Sequence, residues 1–342
     1  MSSLAAIIDK LKPILHYFTV TASEKKLHKI VRRTLLTKQE ILDLKSRARL
    51  QQTKISQQRE TAHQYMGDVI SAYRGSGLEY EESRHYQAGD DPRFMNWRLA
   101  AKTGELYMKV FREERQPGVF VLIDRRESMR FGTKIRLKVT QAARIATIIA
   151  FSTQQRTTGL SGVILNSVPH WLNEAHSERE VFAWLRNVCS PCPPLSLLPS
   201  QELSSDDKNS ETTMAQALRL LQSTLTPGST LYLISDFIDI DQQHQSSLMQ
   251  LATEHNVHAI HIFDPAELNL PKAGQQHLNS SSVGDSVNSA MSIDTESVLV
   301  RKDYRIAVLQ HFNQVEQRIR SLGISYVKIS TLNDNIENRI PL

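Results

Sequence analysis

The second half of the chain alternates short apolar runs with longer stretches in which apolar residues recur at helical spacing. Continuous apolar runs at 119–123 and 231–234 predict parallel strands that are buried on both faces. Helical spacing over 134–154 predicts a long helix. The same patterns predict further strands at 160–165, 257–263 and 325–329, and further helices at 177–189, 213–225, 241–254 and 304–322. This order indicates an α/β domain over residues 117–342, with a doubly wound, mainly parallel sheet and helices on both faces.

The other segments of the chain do not follow this alternation of strands and helices. Residues 1–66 predict an N-terminal helical segment, and residues 67–116 predict a small β-rich segment. Within the α/β domain, the stretch 265–303 is rich in Asn, Ser and Gly. It is expected to form an exposed excursion, with a hairpin as one arrangement.

Asp90 and Asp91 stand in the turn sequence Gly-Asp-Asp-Pro, which leaves two interpretations open. The two carboxylates could act as a catalytic pair or as metal ligands. Alternatively, the turn is structural or docks a partner: one Asp caps the following helix and the other pairs with an arginine such as Arg93. Turn chemistry explains every residue type in the block, which favours the second interpretation. Trp97, soon afterwards, is expected to be a core anchor between the two halves of the chain.

The chain carries a net charge of +5, and basic residues outnumber acidic ones over 25–49. Such a stretch could bind nucleic acid or an anionic membrane surface. However, apolar residues recur there at near-helical spacing and no aromatic residues are interleaved for base stacking. The solvated face of a helix is therefore the favoured interpretation, and nucleic acid is not an expected partner.

The composition contains no transmembrane or secretory signal. No apolar run is long enough to cross a bilayer, and the amphipathic start lacks the apolar core of a signal peptide. Cys189 and Cys192 could form a redox pair or half of a zinc site, but no second cysteine pair completes a four-cysteine cage. A plain loop and a cytoplasmic location are expected.

Polar residues follow the predicted strands at the point where each strand ends. Asp124 and Ser128 follow one strand, Asp236 follows another, and Thr213, with Thr212 beside it, opens a helix. In open parallel sheets, ligands collect at the carboxyl ends of the strands. These oxygen atoms could surround Mg²⁺. They could equally cap helices and accept backbone N–H bonds.

Several blocks of the sequence resemble one family. These are Ser83-Arg-His-Tyr-Gln-Ala-Gly-Asp-Asp-Pro-Arg-Phe-Met-Asn-Trp-Arg98, Ala101-Lys-Thr-Gly-Glu-Leu106, Phe111-Arg-Glu-Glu114, 124–129 with Phe131-Gly-Thr133, and Lys138. They resemble the family catalogued as domain of unknown function 58, and the likeness covers roughly 67–236. The family implies a von Willebrand factor A-like domain preceded by a β-rich segment. It also implies a MoxR-type AAA+ ATPase as partner, in the maturation or remodelling of a client protein.

The resemblance also implies a metal-ion-dependent adhesion site, an Asp-x-Ser-x-Ser pattern with a distant Thr and a distant Asp. Asp124, Ser128, Thr213 and Asp236 match this pattern, whereas Arg126 replaces the first serine. Arginine offers only donors and a fixed positive charge, so it cannot ligate a cation. If Arg126 points inward, its guanidinium could pair with Asp124 or Asp236 and replace the metal. If it points outward, the remaining oxygens could hold Mg²⁺ weakly.

A non-enzymatic adaptor is the function that these observations favour. The sequence has no P-loop, no Gly-x-Ser-x-Gly elbow and no His-Glu-x-x-His motif. Two alternatives stay open: a metal-dependent hydrolase that uses Asp90, Asp91 and Asp236, and a membrane or nucleic-acid module at 25–49. The residues expected to bind a partner are Arg126, Glu127, Asp90, Asp91 and Arg93.

Overall fold

The computed structural model describes residues 34–66, 79–87, 91, 93, 95–112, 117–155, 158–166, 168–192, 213–269, 275–278 and 291–342. The described residues up to Gln57, together with Pro117–Leu342, form one compact unit, and Gln58–Gln116 belong to another.

The described elements follow one another along the chain. The strands are β1 (Glu79–His85), β2 (Tyr107–Arg112), β3 (Val119–Asp124), β4 (Leu160–Leu165), β5 (His170–Ala175), β6 (Thr230–Ser235), β7 (Asn256–Phe263), β8 (Gln275–Leu278), β9 (Met291–Asp294) and β10 (Ser325–Ser330). The helices are α1 (Lys38–Met66), α2 (Trp97–Thr103), α3 (Lys138–Gln155), α4 (Glu178–Val188), α5 (Met214–Thr224), α6 (Gln245–Glu254), α7 (Pro265–Leu268) and α8 (Val298–Ser321). Within the described residues, short 3₁₀ turns span Glu127–Arg130, Gln242–His244 and Glu337–Arg339.

Six strands of the first unit form one sheet in the order β10–β7–β6–β3–β4–β5. All neighbouring strands are parallel except β4 and β5, which are antiparallel. The predicted doubly wound, mainly parallel sheet is therefore confirmed. The one antiparallel pair places β5 at an edge of this sheet.

The central strand β3 is buried along its whole length because helices cover both faces of the sheet. Val121 and Ile123 point into one apolar cluster, which includes residues of α1, α3 and α4. Phe120 and Leu122 point into a second cluster with α5, α6 and α8. Alternate side chains of one strand thus enter both cores, as the continuous apolar run requires.

The edge strand β5 was not predicted from the sequence. Only two of its six residues, Leu172 and Ala175, are buried. Its mixture of exposed polar residues gives neither a continuous apolar run nor a clean alternation.

The loop that follows α4 is held by a buried arginine. The guanidinium of Arg125 donates to the carbonyl oxygens of Asn187, Ser190 and Pro191 and to the hydroxyl of Ser190. Positive charge at a helix C-terminus is stabilising. In the same loop, Cys189 and Cys192 are free thiols and both are buried. Burial raises the pKa of Cys189 to about 12, so this thiol is a poor nucleophile.

In the second unit, β1 pairs with β2 in antiparallel fashion. The helix α2 begins at Trp97, because the side chain of Asn96 caps it by accepting from the N–H of Leu99. The prediction that Trp97 is a core anchor was wrong: this side chain is 64% exposed. Among the described residues of this unit, Met95 and Met108 are buried, and an isolated backbone bridge pairs Met95, just before α2, with Met108 on β2.

The stretch 265–303 contains the short helix α7, an antiparallel hairpin of β8 and β9, and the start of α8. α8 therefore begins six residues earlier than its apolar spacing predicted. No helix in the described part of the chain is long and apolar enough to cross a membrane.

An ionic site at the carboxyl edge of the sheet

The structure brings the predicted strand-end residues to one edge of the sheet. Asp124 ends β3, and Asp236 directly follows the neighbouring strand β6. Ser128 lies in the 3₁₀ turn after β3 and donates its hydroxyl hydrogen to Asp236. Thr213 is the N-cap residue of α5. These four residues and three neighbours described below form a cluster that we call the edge site: Asp124, Arg126, Ser128, Thr213, Ser235, Asp236 and Asp239.

Arg126 points inward and lies between two carboxylates. Its Nε and Nη2 donate to Asp124 at 3.0 and 2.8 Å. Its Nη1 and Nη2 donate to Asp239 at 2.6 and 3.1 Å. Burial alone would lower the pKa of Arg126, but the two carboxylates hold it above its ordinary value. The guanidinium is thus a permanent cation, and its bonds join the end of β3 to the loop after β6.

Both carboxylate oxygens of Asp124 are fully engaged. Oδ1 accepts from the backbone N–H and the Nε of Arg126, and Oδ2 accepts from Arg126 and from the hydroxyl of Ser235 at 2.7 Å. The side chain of Asp124 is completely buried. Burying a carboxylate is costly unless it is paired and hydrogen-bonded in this way.

A second cation, Lys138, lies at the same edge and is also buried. Its ammonium donates to Asp236 Oδ2 at 2.7 Å and to Glu267 Oε1 at 2.5 Å. Burial alone would lower the pKa of Lys138, but these carboxylates raise it above its ordinary value. Burial alone would raise the pKa of Asp236, but Lys138 outweighs that effect and lowers it. For Glu267, burial prevails and its pKa is raised.

Asp264, which directly follows β7, joins the loop after β3 to the rest of the edge. Its carboxylate accepts from the N–H and hydroxyl of Thr133 at 3.1 and 2.6 Å, and from the hydroxyl of Thr331 at 2.7 Å. In turn, the N–H of Asp264 donates to Glu267 Oε2 at 2.7 Å. The site therefore rests on two hydrogen-bonded clusters, one around Arg126 and one around Lys138, whose paired side chains fix its geometry.

The arrangement does not fit Mg²⁺. The oxygens of Asp124 already accept from Arg126 and Ser235, and Asp236 Oδ2 already accepts from Lys138. A divalent cation would stand beside the guanidinium of Arg126, which offers only donors. In the described part of the chain, no group of three or more His, Cys, Asp or Glu residues has an arrangement that could hold a metal.

Phe237 shows backbone strain at this edge. It directly follows Asp236 and has a φ of 51°, in the left-handed region that favours glycine. Its side chain is completely buried. Strained residues of this kind persist only where the surrounding structure holds them, and they cluster at functional sites. The turn at Phe237 lets Asp236 point to Lys138 while Asp239 reaches Arg126.

A family model matches the part of the chain that contains the edge site. Residues 82–314 match the model of the family described as Protein of unknown function DUF58. The chain belongs to this DUF58 family. The matched range contains every residue of the edge site, together with Lys138 and Glu267.

Relatives and a solved structure were found for this DUF58 protein. Uncharacterized proteins of Mycobacterium tuberculosis (strain H37Rv) and Mycobacterium bovis are 26% identical over 314 residues, which cover 91% of this chain and 93% of theirs. The crystal structure of the conserved hypothetical protein BatB from Bacteroides thetaiotaomicron matches with 11% identity and a TM-score of 0.34. That match covers 61% of this chain and 99% of BatB.

Arg126 does not pair with Asp236, which was one of the two partners considered from the sequence. Its second partner is Asp239, and Asp236 pairs with Lys138. Asp239 was missed, although it stands three residues after Asp236. Glu267 was missed because it lies in a four-residue helix within the stretch that had no regular pattern. The bond from Ser235 to Asp124 could not be read from the sequence.

The other predicted residues fall in three places. Thr213 uses its hydroxyl to cap α5, accepting from the N–H of Gln216 at 3.3 Å, and Glu127 is half-buried in the turn after β3. Asp91 and Arg93 belong to the second unit, where Asp91 Oδ1 accepts from the N–H of Arg93 at 3.0 Å. Asp90 and Thr212 lie outside the described residues.

The basic stretch 25–49 is described only from residue 34 onward. Lys45 and Arg49 both pair with Glu178, and Arg47 pairs with Asp43. These cations already have acidic neighbours on the same molecule.

His261 provides a test of the buried network through pH. It lies on β7, contacts the Tyr326 hydroxyl and the Phe312 ring, and burial lowers its pKa to about 3. Because the folded pKa is below the unfolded value of about 6.5, the stability contributed by neutral His261 is present above pH 6.5. It is lost as the pH falls from about 6.5 towards 3. We expect wild type to lose up to about 1.4 kcal/mol per pH unit more than His261→Phe in this window.

Urea unfolding at a series of pH values measures this difference. The matched control is His170→Phe, because His170 is exposed on β5. Parallel curves for wild type and His261→Phe would contradict the prediction.

Proposed function

We propose that this DUF58 protein is a non-enzymatic adaptor that binds a partner protein through the edge site. We further propose that the partner is a MoxR-type AAA+ ATPase, which the adaptor assists in the maturation or remodelling of a client. The observation that carries the proposal is the position of Arg126. Its guanidinium fills the space between Asp124 and Asp239 and builds a rigid charged face without a metal.

The edge site is suited to binding because it is preorganised and partly open. The side chain of Asp239 is 33% exposed although it accepts two bonds from Arg126. A group that is already held in place loses little side-chain entropy when a partner binds. A basic residue of the partner can therefore form an ion pair with Asp239 without rearranging the site. The strained turn at Phe237 supports the same interpretation, since strain is retained where function requires a fixed geometry.

Catalysis by the edge site has little support. The carboxylate of Asp236 is 4% exposed and is bound by Lys138, so a substrate could not reach it without disrupting the ion pair. The sequence has no P-loop, so the energy for remodelling must come from a nucleotide-hydrolysing partner. A MoxR-type ATPase is the partner that the family resemblance implies.

Binding between the purified chain and the MoxR-type ATPase, with and without ATP, tests the proposal. Asp239→Asn keeps the size of the side chain but removes its charge and one acceptor. We expect it to weaken the complex about tenfold, which corresponds to about 1.4 kcal/mol. The matched control is Glu174→Gln, a change of the same kind on the edge strand β5.

Equal affinity of wild type and Asp239→Asn would move the interface away from the edge site. No complex in either nucleotide state would refute the ATPase as partner.

A further inference from the structure

Helix α8 exposes an unusual number of large apolar side chains. Val298 and Leu299 are 70% and 71% exposed, and Ile306 and Leu309 are 42% and 41% exposed. The opposite face of the same helix is buried against the sheet through residues such as Val315 and Ile319. A row of exposed apolar residues on one structural helix is the pattern of an interaction surface.

The exposed residues lie along one line of the helix. Leu299, Lys302, Ile306, Leu309 and Asn313 are separated by three or four positions in turn, so they share one face. At 1.5 Å per residue this line is about 21 Å long. Its length matches about four turns of a second helix.

The line runs into a pocket. Leu309 and Asn313 belong to this line of residues and also line a cavity of about 240 Å³. Phe263, Leu268 and Phe312 supply further apolar walls, and Lys328 and Arg339 contribute cations to the lining. A cavity of this size admits an inserted side chain. We call the line and this cavity together the α8 groove.

The charges around the α8 groove are mainly positive. Lys302, Arg305 and Arg339 have no acidic partner within the described residues. Lys328 shares Glu316 with Arg320. Over its whole length α8 carries five basic and two acidic residues. The groove therefore offers apolar contact in the middle and positive charge at its borders.

We propose that the α8 groove binds an acidic, amphipathic helix of a partner protein. Leucine-like side chains at the spacing of the line would pack on Leu299, Ile306 and Leu309, and one would enter the cavity. Acidic residues beside them would face Lys302, Arg305 and Arg339. A second copy of the same basic helix would be repelled, and a concave cavity suits an inserted side chain better than a flat lipid surface. The inference is independent of the edge site.

The probe is a synthetic helical peptide of roughly 15 residues, with leucines at i, i+3, i+7 and i+10 and glutamates at the flanking positions. Fluorescence anisotropy with the full chain measures its affinity. Leu309→Glu and Lys302→Glu/Arg305→Glu are each expected to weaken binding about tenfold or more. The control is Leu220→Glu on α5, because Leu220 is 40% exposed and thus matches Leu309. It is expected to bind the peptide as wild type does.

Methyl NMR of the wild-type chain gives a second readout that does not depend on variants. Addition of the peptide is expected to shift the methyl signals of Leu268 and Leu309, and raised salt is expected to weaken binding. The proposal is overturned if the peptide does not bind, if a scrambled peptide binds equally well, or if Leu309→Glu binds like wild type. Binding to phosphatidylglycerol vesicles in place of the peptide would assign the groove to a membrane surface. A dimer that is lost in Leu309→Glu would assign it to a second copy of the chain.

Discussion

Replacing Lys138 with methionine is expected to lower the free energy of unfolding by about 3–5 kcal/mol. The ammonium of Lys138 is the cation shared by the carboxylates of Asp236 and Glu267, and the side chains of all three residues are at most 4% exposed. Methionine fills a similar volume but leaves two buried carboxylates facing each other. Breaking a buried ion pair by removing one partner is far more destabilising than losing an exposed pair.

Equilibrium urea unfolding measures this loss, and Lys134→Met is the matched control. Lys134 lies four residues earlier and is exposed, so its replacement is expected to change the free energy of unfolding by less than about 0.5 kcal/mol. The double variant Lys138→Met/Glu267→Gln is expected to recover part of the loss, because one buried charge is removed with the cation. Equal stability of Lys138→Met and Lys134→Met would show that the buried network does not hold the edge together.

Replacing Arg126 with serine is expected to have two linked effects. Without metal, the loss of the guanidinium leaves Asp124 buried and uncompensated and is expected to cost about 2–4 kcal/mol. The change also restores the Asp-x-Ser-x-Ser pattern over residues 124–128, which brings oxygen atoms to the place that the guanidinium leaves. Carboxylate and hydroxyl oxygens are ligands that Mg²⁺ accepts. Mg²⁺ is therefore expected to stabilise Arg126→Ser, by about 2.7 kcal/mol at a hundredfold excess over the dissociation constant.

Thermal unfolding and titration calorimetry with MgCl₂ measure these effects. Wild type is expected to show neither heat of binding nor a shift in Tm, because Arg126 already supplies the positive charge. Arg126→Ala is the control: it is expected to lose similar stability but to recover less with Mg²⁺, since it adds no hydroxyl. The same Mg²⁺ affinity in wild type and Arg126→Ser would contradict the idea that Arg126 replaces the metal.

Most of the fold was predictable because its central strands have a distinctive sequence pattern. Strands buried on both faces, such as β3 and β6, must be apolar at every position, and such runs are unambiguous when helical patterns separate them. The edge strand β5 has no such constraint, because it is buried at only two positions. Trp97 shows the converse error: a large aromatic residue was expected in the core, but the local cap at Asn96 starts α2 so that Trp97 faces solvent.

The candidate site was predictable only where strand ends define it. Asp124 and Asp236 lie at the same edge of the sheet because they stand at the carboxyl ends of the parallel neighbours β3 and β6. Asp239 and Glu267 could not be assigned in the same way. Asp239 reaches Arg126 through the left-handed turn at Phe237, and Glu267 depends on the position of the short helix α7. Such contacts arise from loop geometry, which hydrophobic periodicity does not encode.

The most direct test of the proposed adaptor function is hydrogen exchange on the complex with the MoxR-type ATPase. Backbone amides in 213–216 and 236–243, which carry Thr213, Asp236 and Asp239, are expected to exchange more slowly in the complex than in the free chain. Slower exchange confined to α8 or to Gln58–Gln116, with no change at the edge site, would contradict the proposal.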